Sequence, residues 1–426
     1  METSAALAED RPTHSTEREP ERLPDLESAL EELNREYVFV RSPVGIFFVP
    51  ERELYGIDGF RHLLANRFAL GGNKIVPTSR AWLTSVKRAD CTKLVYDPAQ
   101  PSGLLGDRSF NLYRESGVEP RKGDIGPWSR LLDHIFSGAP RERVWFEQWA
   151  AYPLRHPGTK LFTAVVLWGV HGGGKSLLGE TMGRLYGENY YEPSSDDLAS
   201  QFNDWLRFQQ FILVNEIVST GRRADADKLK AMITREYATI NRKYQPTFRV
   251  RDCVNYFITS NHPDAVLVEN SERRFFVHRV TRVIDTGLAN EIARFKASSD
   301  GQAALLHHLL REVDLEGFDP HVPAPDTAAK RDMVDAGITD LERFILDAID
   351  AARRGEGPEL VTAEGLMRQF EEESRTNRTS VKAITTALQR HGAVKLSRNQ
   401  MRISGKRGRW WRLAEAEKRT QIGEGI

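Results

Sequence analysis

Gly169-Val170-His171-Gly172-Gly173-Gly174-Lys175-Ser176 joins glycine, lysine and a hydroxyl in the order that polyphosphate binding demands. A polyphosphate needs several convergent backbone N–H donors, and residues with little or no side chain let the main chain wrap closely enough to supply them. The helix that follows adds its own unpaired N–H groups and positive dipole end. In this reading Gly169, Gly172, Gly173 and Gly174 shape the loop. Lys175 reaches the β and γ phosphates as a mobile charge, Ser176 joins the coordination sphere of Mg2+, and Leu177 opens the helix. The rival is a glycine-rich turn that fits the pattern by chance, and the neighbouring segments argue against it. An apolar run, Thr163-Ala164-Val165-Val166-Leu167-Trp168, precedes the loop, and the helix-like Leu177-Leu178-Gly179-Glu180-Thr181-Met182 follows it. Strand, phosphate loop and helix therefore stand in order.

A second polar pair, Asn215-Glu216, directly follows the apolar run Phe211 to Val214. A buried parallel strand ending there places both side chains beside the phosphate loop. Glu216 is the candidate to orient and deprotonate a water, and Asn215 to meet Mg2+ through water. The rival for Glu216 is a surface carboxylate at a strand end.

Length and composition bound the rest. The 426 residues allow two or three domains. Lys plus Arg and Asp plus Glu are each 60, so any nucleic-acid contact must be local rather than global. The two cysteines, Cys91 and Cys253, give neither a disulfide framework nor a zinc cluster. No apolar stretch approaches the ~18 residues of a membrane span. A soluble, cytoplasmic protein, in a bacterial host or phage-infected cell, is expected.

Turn signals and periodicity divide the chain into a disordered tail (1–28), a mixed α+β region (29–125), a helical collar (126–158), an α/β domain (159–315), a Pro-rich linker (316–338), a small domain (339–416) and a tail (417–426). In the first region, runs 37–40 and 45–49 read as strands, and Gly59 to Phe68 as a helix. In the α/β domain, strands 254–259 and 275–277 alternate with helices at 198–206 and 224–234, with a hairpin around Tyr244. The small domain reads as three helices and a basic-tipped hairpin, the plan of a winged helix.

The order of phosphate loop, strand ending in Asn215-Glu216, hairpin Ile240-Asn241-Arg242-Lys243-Tyr244 and strand Phe257-Ile258-Thr259-Ser260-Asn261 resembles the superfamily 3 helicases. More narrowly, it is similar to the helicase part of phage and plasmid primase-helicases of the poxvirus type. The resemblance implies a P-loop NTPase core of AAA+-like fold, ATP and Mg2+ as cofactors, and a homo-oligomeric ring, a hexamer. It makes Lys175 and Ser176 the nucleotide-binding pair, Glu216 the catalytic acid and Asn261 the polar sensor of the γ phosphate. It also makes Lys243, with Tyr244, a DNA grip at the hairpin tip and Arg273 an arginine finger reaching a neighbouring subunit, with Arg274 as its competitor. Asn215 departs from the family's usual acid. An amide is a poorer outer-sphere partner for Mg2+ than a carboxylate.

Basic residues from Arg375 to Arg412, with Lys406 and Arg407 at the hairpin tip, form a local candidate surface for DNA, and Trp410-Trp411 a candidate stacking platform. The expected function is an ATP-dependent, ring-forming DNA helicase or translocase of phage or mobile-element replication. It would act on single-stranded or forked DNA, without its own primase and with a separate one as a candidate partner. A DNA-binding ATPase switch or replication initiator that does not unwind DNA is the alternative. A nucleoside kinase leaves the hairpin and the small domain without a role.

Overall fold

A computed structural model describes residues 23–216, 223–241, 243, 247–264, 266, 272–374, 378–396 and 400–413. Tyr244, most of the expected N-terminal tail and the tail 417–426 lie outside the described residues.

The first region runs through α1 (Leu26–Glu36), β1 (Tyr37–Arg41), β2 (Val44–Phe48), β3 (Glu53–Tyr55), α2 (Ile57–Leu63), β4 (Phe68–Gly71), β5 (Lys74–Pro77), α3 (Thr78–Thr84) and β6 (Asp90–Cys91). Three short strands follow, β7 (Leu94–Val95), β8 (Gly103–Leu104) and β9 (Phe110–Asn111). The main sheet here has the order β3-β2-β1-β6. The helix expected over Gly59 to Phe68 stops at Leu63, because Phe68 enters a hairpin in which it pairs with Pro77. An apolar cluster of Val38, Val40, Phe47, Cys91 and Leu112 meets Phe208 and Cys253 of the next domain. Burial there pushes the Cys253 thiol up to about 12 and the Cys91 thiol up to about 11, so both behave as apolar packing groups.

Helices α4 (Gly126–Ile135) and α5 (Pro140–Arg155) lead into the α/β domain. Its elements are β10 (Ala164–Gly169), α6 (Lys175–Gly183), β11 (Tyr190–Tyr191), α7 (Ser195–Ala199), β12 (Phe211–Val214), α8 (Arg223–Thr234), the hairpin β13 (Tyr237–Ile240) and β14 (Phe248–Arg251), then β15 (Asn255–Ser260), β16 (Phe275–Val280), α9 (Thr286–Ala297), α10 (Ser299–Arg311) and α11 (Ala328–Ala336). The central sheet is five-stranded, in the order β11-β12-β15-β10-β16, and every pairing is parallel. Every residue of β10 is buried. Val165 and Leu167 face a core shared with α4, α5, α6 and α10, while Ala164, Val166 and Trp168 face a second core with α8, α11 and the hairpin. That two-sided cover is why the strands read as continuous apolar runs.

The helix expected over Leu198 to Leu206 is broken into the short α7 and a 3-10 turn at Asp204–Leu206. Polar side chains take over the backbone partners there. Asn203 donates to the Thr239 carbonyl at 2.9 Å and accepts the Asn241 N–H at 2.7 Å, and Ser200 Oγ accepts the Phe202 N–H at 2.9 Å. Within 316–338, the Phe318 ring packs at a tilt against Trp145 and Tyr152, the Pro320 carbonyl accepts the Phe162 N–H, and the Ala324 N–H donates to the Arg273 carbonyl. With α11 packed on β16, this stretch is a strap on the core rather than free chain.

The C-terminal unit comprises α12 (Asp340–Arg354), β17 (Leu360–Thr362), α13 (Ala363–Ser374), α14 (Val381–Arg390), β18 (Val394–Lys395), β19 (Met401–Ile403), β20 (Lys406–Gly408) and β21 (Trp410–Arg412). Its helices cover a three-stranded antiparallel sheet, β17-β21-β18, and β19 and β20 project as a separate hairpin. A capping box of Thr339 and Glu342 starts α12.

Candidate nucleotide-binding site

Register assembles the site. Trp168 pairs with Ser260, so the next residues, Gly169 and Asn261, stand side by side at the end of β10 and β15. Val214 pairs with Ile258, which sets Asn215 level with Thr259. Ligands of open parallel sheets sit beyond these carboxyl ends.

The glycine loop then turns back into α6. Gly169 could carry no side chain, since a Cβ there would meet the Val280 carbonyl oxygen at 2.0 Å. Gly174, with φ +87°, makes the left-handed step that opens the helix. The loop is braced from outside: the Val170 N–H donates to the Val280 carbonyl at 3.1 Å, the Ile284 N–H to the Gly172 carbonyl at 2.9 Å, and His134 Nε2 meets the Gly173 carbonyl at 3.2 Å. Gly179 presses α6 onto the sheet, because its ideal Cβ would lie 2.6 Å from Leu213 Cδ1.

Lys175 is 6% exposed, and its Nζ donates to the Gly169 carbonyl at 3.1 Å, the Val170 carbonyl at 2.7 Å and Asn261 Oδ1 at 3.0 Å. Burial holds its ammonium below the ordinary lysine value, and the Glu216 carboxylate works in the opposite direction. A buried cation satisfied by neutral oxygens is one that an arriving anion would stabilise further. Ser176 and Leu177 follow on the first turn of α6, half-buried.

On the adjacent strand ends, the Thr259 hydroxyl donates to Asn215 Oδ1 at 3.0 Å and accepts the Glu216 N–H at 3.3 Å. Asn215 Nδ2 donates to the Glu192 carboxylate. Glu192 therefore places a carboxylate next to the Asn215 amide. Glu216 is exposed and holds φ +53°, a backbone conformation unusual for a residue with a side chain. Gly169, Gly172, Gly173, Gly174, Lys175, Ser176, Leu177, Asn215, Glu216 and Asn261 thus come together at one end of the sheet.

The other expected site residues lie elsewhere. Arg273 precedes β16, whose register runs from Phe275 beside Ala164 to Val280 beside Gly169. Six strand residues at ~3.3 Å each put it about 20 Å from its own loop. Its side chain is exposed, whereas the Arg274 guanidinium meets both Glu272 oxygens at 3.0 and 3.1 Å. The ion pair thus belongs to Arg274. Lys243 is exposed in the turn between β13 and β14. Lys406 and Arg407 are exposed on β20 of the C-terminal hairpin. The expected stacking platform is corrected: Trp411 is 1% exposed in the core of that unit, and Trp410, 9% exposed, donates its indole N–H to the Met401 carbonyl. No described helix is long and apolar enough to cross a membrane.

Sequence reasoning missed His134, Glu192 and Thr259 as parts of the site. Thr259 carried a signal, a polar residue at the end of an apolar strand; the other two reach the site from other elements.

Residues 167–274, which contain the loop, Asn215-Glu216, the hairpin and Asn261, match a family of unknown function, DUF5906. Over 198 residues, 44% of the chain, it is 27% identical to the DNA primase-polymerase of Nitratiruptor phage NrS-1, and the chain spans only 27% of that protein's length. Solved structures of the C-terminal region of the NrS-1 protein, without ligand, share the fold. One superposes with a TM-score of 0.62 at 19% identity, covering 93% of this chain and 100% of that one; another gives 0.60 at 18% identity, covering 91% and 99%. These findings correct the expected identity. The superfamily 3 helicase assignment, and with it the ATP-hydrolysing helicase activity, is overturned by a likeness that runs to a phage DNA primase-polymerase, and the ATPase switch or initiator gains no support either.

Proposed function

We propose that this chain serves phage-type DNA replication as the counterpart of the C-terminal region of a primase-polymerase, and that its glycine loop holds the triphosphate of a nucleotide such as ATP with Mg2+. The observation that carries the reading is the buried Lys175 ammonium, whose hydrogen bonds among the described residues all go to neutral oxygens, in a glycine loop at the mouth of a parallel sheet. The residues present fit such a ligand. Glycine supplies close backbone approach, α6 supplies its N-terminal N–H groups, and Lys175 supplies the charge, which Asn261 holds in place. Ser176 and the pair Asn215–Glu192 are the groups that would hold Mg2+, directly or through water, and the ion would neutralise phosphate charge. A primase-polymerase joins nucleotides taken from triphosphates, so a triphosphate pocket suits its service. Exposed Arg402, Lys406, Arg407, Arg409 and Arg412 support DNA contact by the C-terminal hairpin and the adjoining strand.

Titration calorimetry with ATP and Mg2+ tests the pocket. Lys175→Ala is expected to weaken binding by about tenfold or more, the loss of one charge-assisted contact. Wild-type protein that binds no nucleoside triphosphate would refute the reading. Anisotropy of a labelled single-stranded oligonucleotide tests the DNA half in the same way.

A further inference from the structure

In a planar trans peptide the carbonyl of one residue and the N–H of the next point to opposite sides. A partner that captures a loop carbonyl from outside therefore aims the following N–H inward. The loop has two such captures in succession. The Ile284 N–H holds the Gly172 carbonyl at 2.9 Å and so aims the Gly173 N–H, while His134 Nε2 holds the Gly173 carbonyl at 3.2 Å and so aims the Gly174 N–H. The first is backbone to backbone. The second depends on one side chain.

His134 is built to hold that position. It lies half-buried on α4 between Leu131 and Ile135, whose methyl groups are 3.5 and 3.7 Å from the Cβ position of Gly174. The same end of α4 is tied to the sheet, since buried His278 meets the Ile135 carbonyl with Nε2 at 2.7 Å and Glu142 with Nδ1 at 2.6 Å. The imidazole is thus carried on a rigid arm anchored to β16, which also receives the Val170 N–H.

We propose that His134 is a positioning residue of the phosphate loop: by donating its Nε2–H to the Gly173 carbonyl it fixes the Gly173–Gly174 peptide so that the Gly174 N–H faces the bound triphosphate. The proposal rests on the triphosphate reading above. His134 itself touches no phosphate; it acts through the loop.

The test measures binding of fluorescent N-methylanthraniloyl-ATP with Mg2+ to the full chain and to His134→Leu and His134→Gln. Leucine keeps bulk and removes the donor, whereas glutamine returns an N–H at similar reach. The expected result is affinity about tenfold weaker for His134→Leu, the worth of one hydrogen bond, and recovery to within about threefold of wild type for His134→Gln. A role in packing alone would leave the two variants alike, and equal affinity in all three proteins overturns the proposal while the triphosphate pocket stands. Wild-type protein that binds no nucleotide overturns both.

Discussion

Asp252 tests whether a buried charge network clamps β15 at the end opposite Asn261. Its side chain, 1% exposed, meets the Lys160 ammonium at 2.6 Å and the Arg235 guanidinium, and it accepts the Val254 N–H at 3.0 Å. Asp252→Ala strands Lys160 and Arg235, and breaking a buried pair by removing one partner costs about 3–5 kcal/mol. Lys160 already lies below its ordinary value, chiefly because burial disfavours the charged form, with Asp252 pulling it back up. Without the carboxylate Lys160 sheds its proton at lower pH still. Between that depressed native value and the ordinary lysine value of ~10.4 the unfolded chain binds more protons than the native one, so stability rises with pH across the window. The window is wider in the variant. Urea unfolding followed by tryptophan fluorescence should therefore show a deficit of about 3–5 kcal/mol at neutral pH, narrowing as the pH rises and Lys160 becomes neutral. A deficit under about 1 kcal/mol, the worth of an exposed pair, or one indifferent to pH, would refute the reasoning.

Two further outcomes follow from the packing and the charge distribution. Gly179→Val places a side chain 2.6 Å from Leu213 Cδ1 and 2.9 Å from Phe257 Cδ1. It should cost at least the ~1–3 kcal/mol of an overpacked core, read as a lowered melting temperature, and an unchanged melt would show that α6 is not pressed on the sheet. Replacing Lys406 and Arg407 together by alanine should weaken DNA binding and reduce the slope of log affinity against log salt by ~0.7–0.9 for each lost phosphate contact. An unchanged slope in anisotropy titrations removes the hairpin from the DNA surface.

Much of the site was legible because it is local. The apolar run, the glycines and Lys175-Ser176 follow one another in the chain, and a strand that ends on a polar residue announces Asn215 and Asn261 without any knowledge of partners. Glu192 and His134 were hidden because their contacts span 23 and 39 residues and depend on how strands and α4 are arranged, which no local pattern records. Leu360–Thr362 escaped for a different reason: a three-residue strand is too short to show alternation. Arg273 and Arg274 looked alike in sequence, and only the placement of Glu272 distinguishes them. The helicase assignment failed at another level. A glycine loop followed by polar strand ends points at most to a class of ligand, and one ligand chemistry is shared by proteins that use it for different ends.

The strap that crosses β16 has a consequence for how molecules of this protein meet. β16 is the last strand of its sheet, with β10 on one side. On the other side the Arg273 carbonyl is taken by the Ala324 N–H and the Val277 carbonyl by the Thr327 hydroxyl at 2.6 Å. Main-chain acceptors that would otherwise invite a foreign strand are thereby occupied from within. What reads in the sequence as slack between two halves thus serves as a selvage, finishing the margin of the fabric so that copies do not stitch themselves together there.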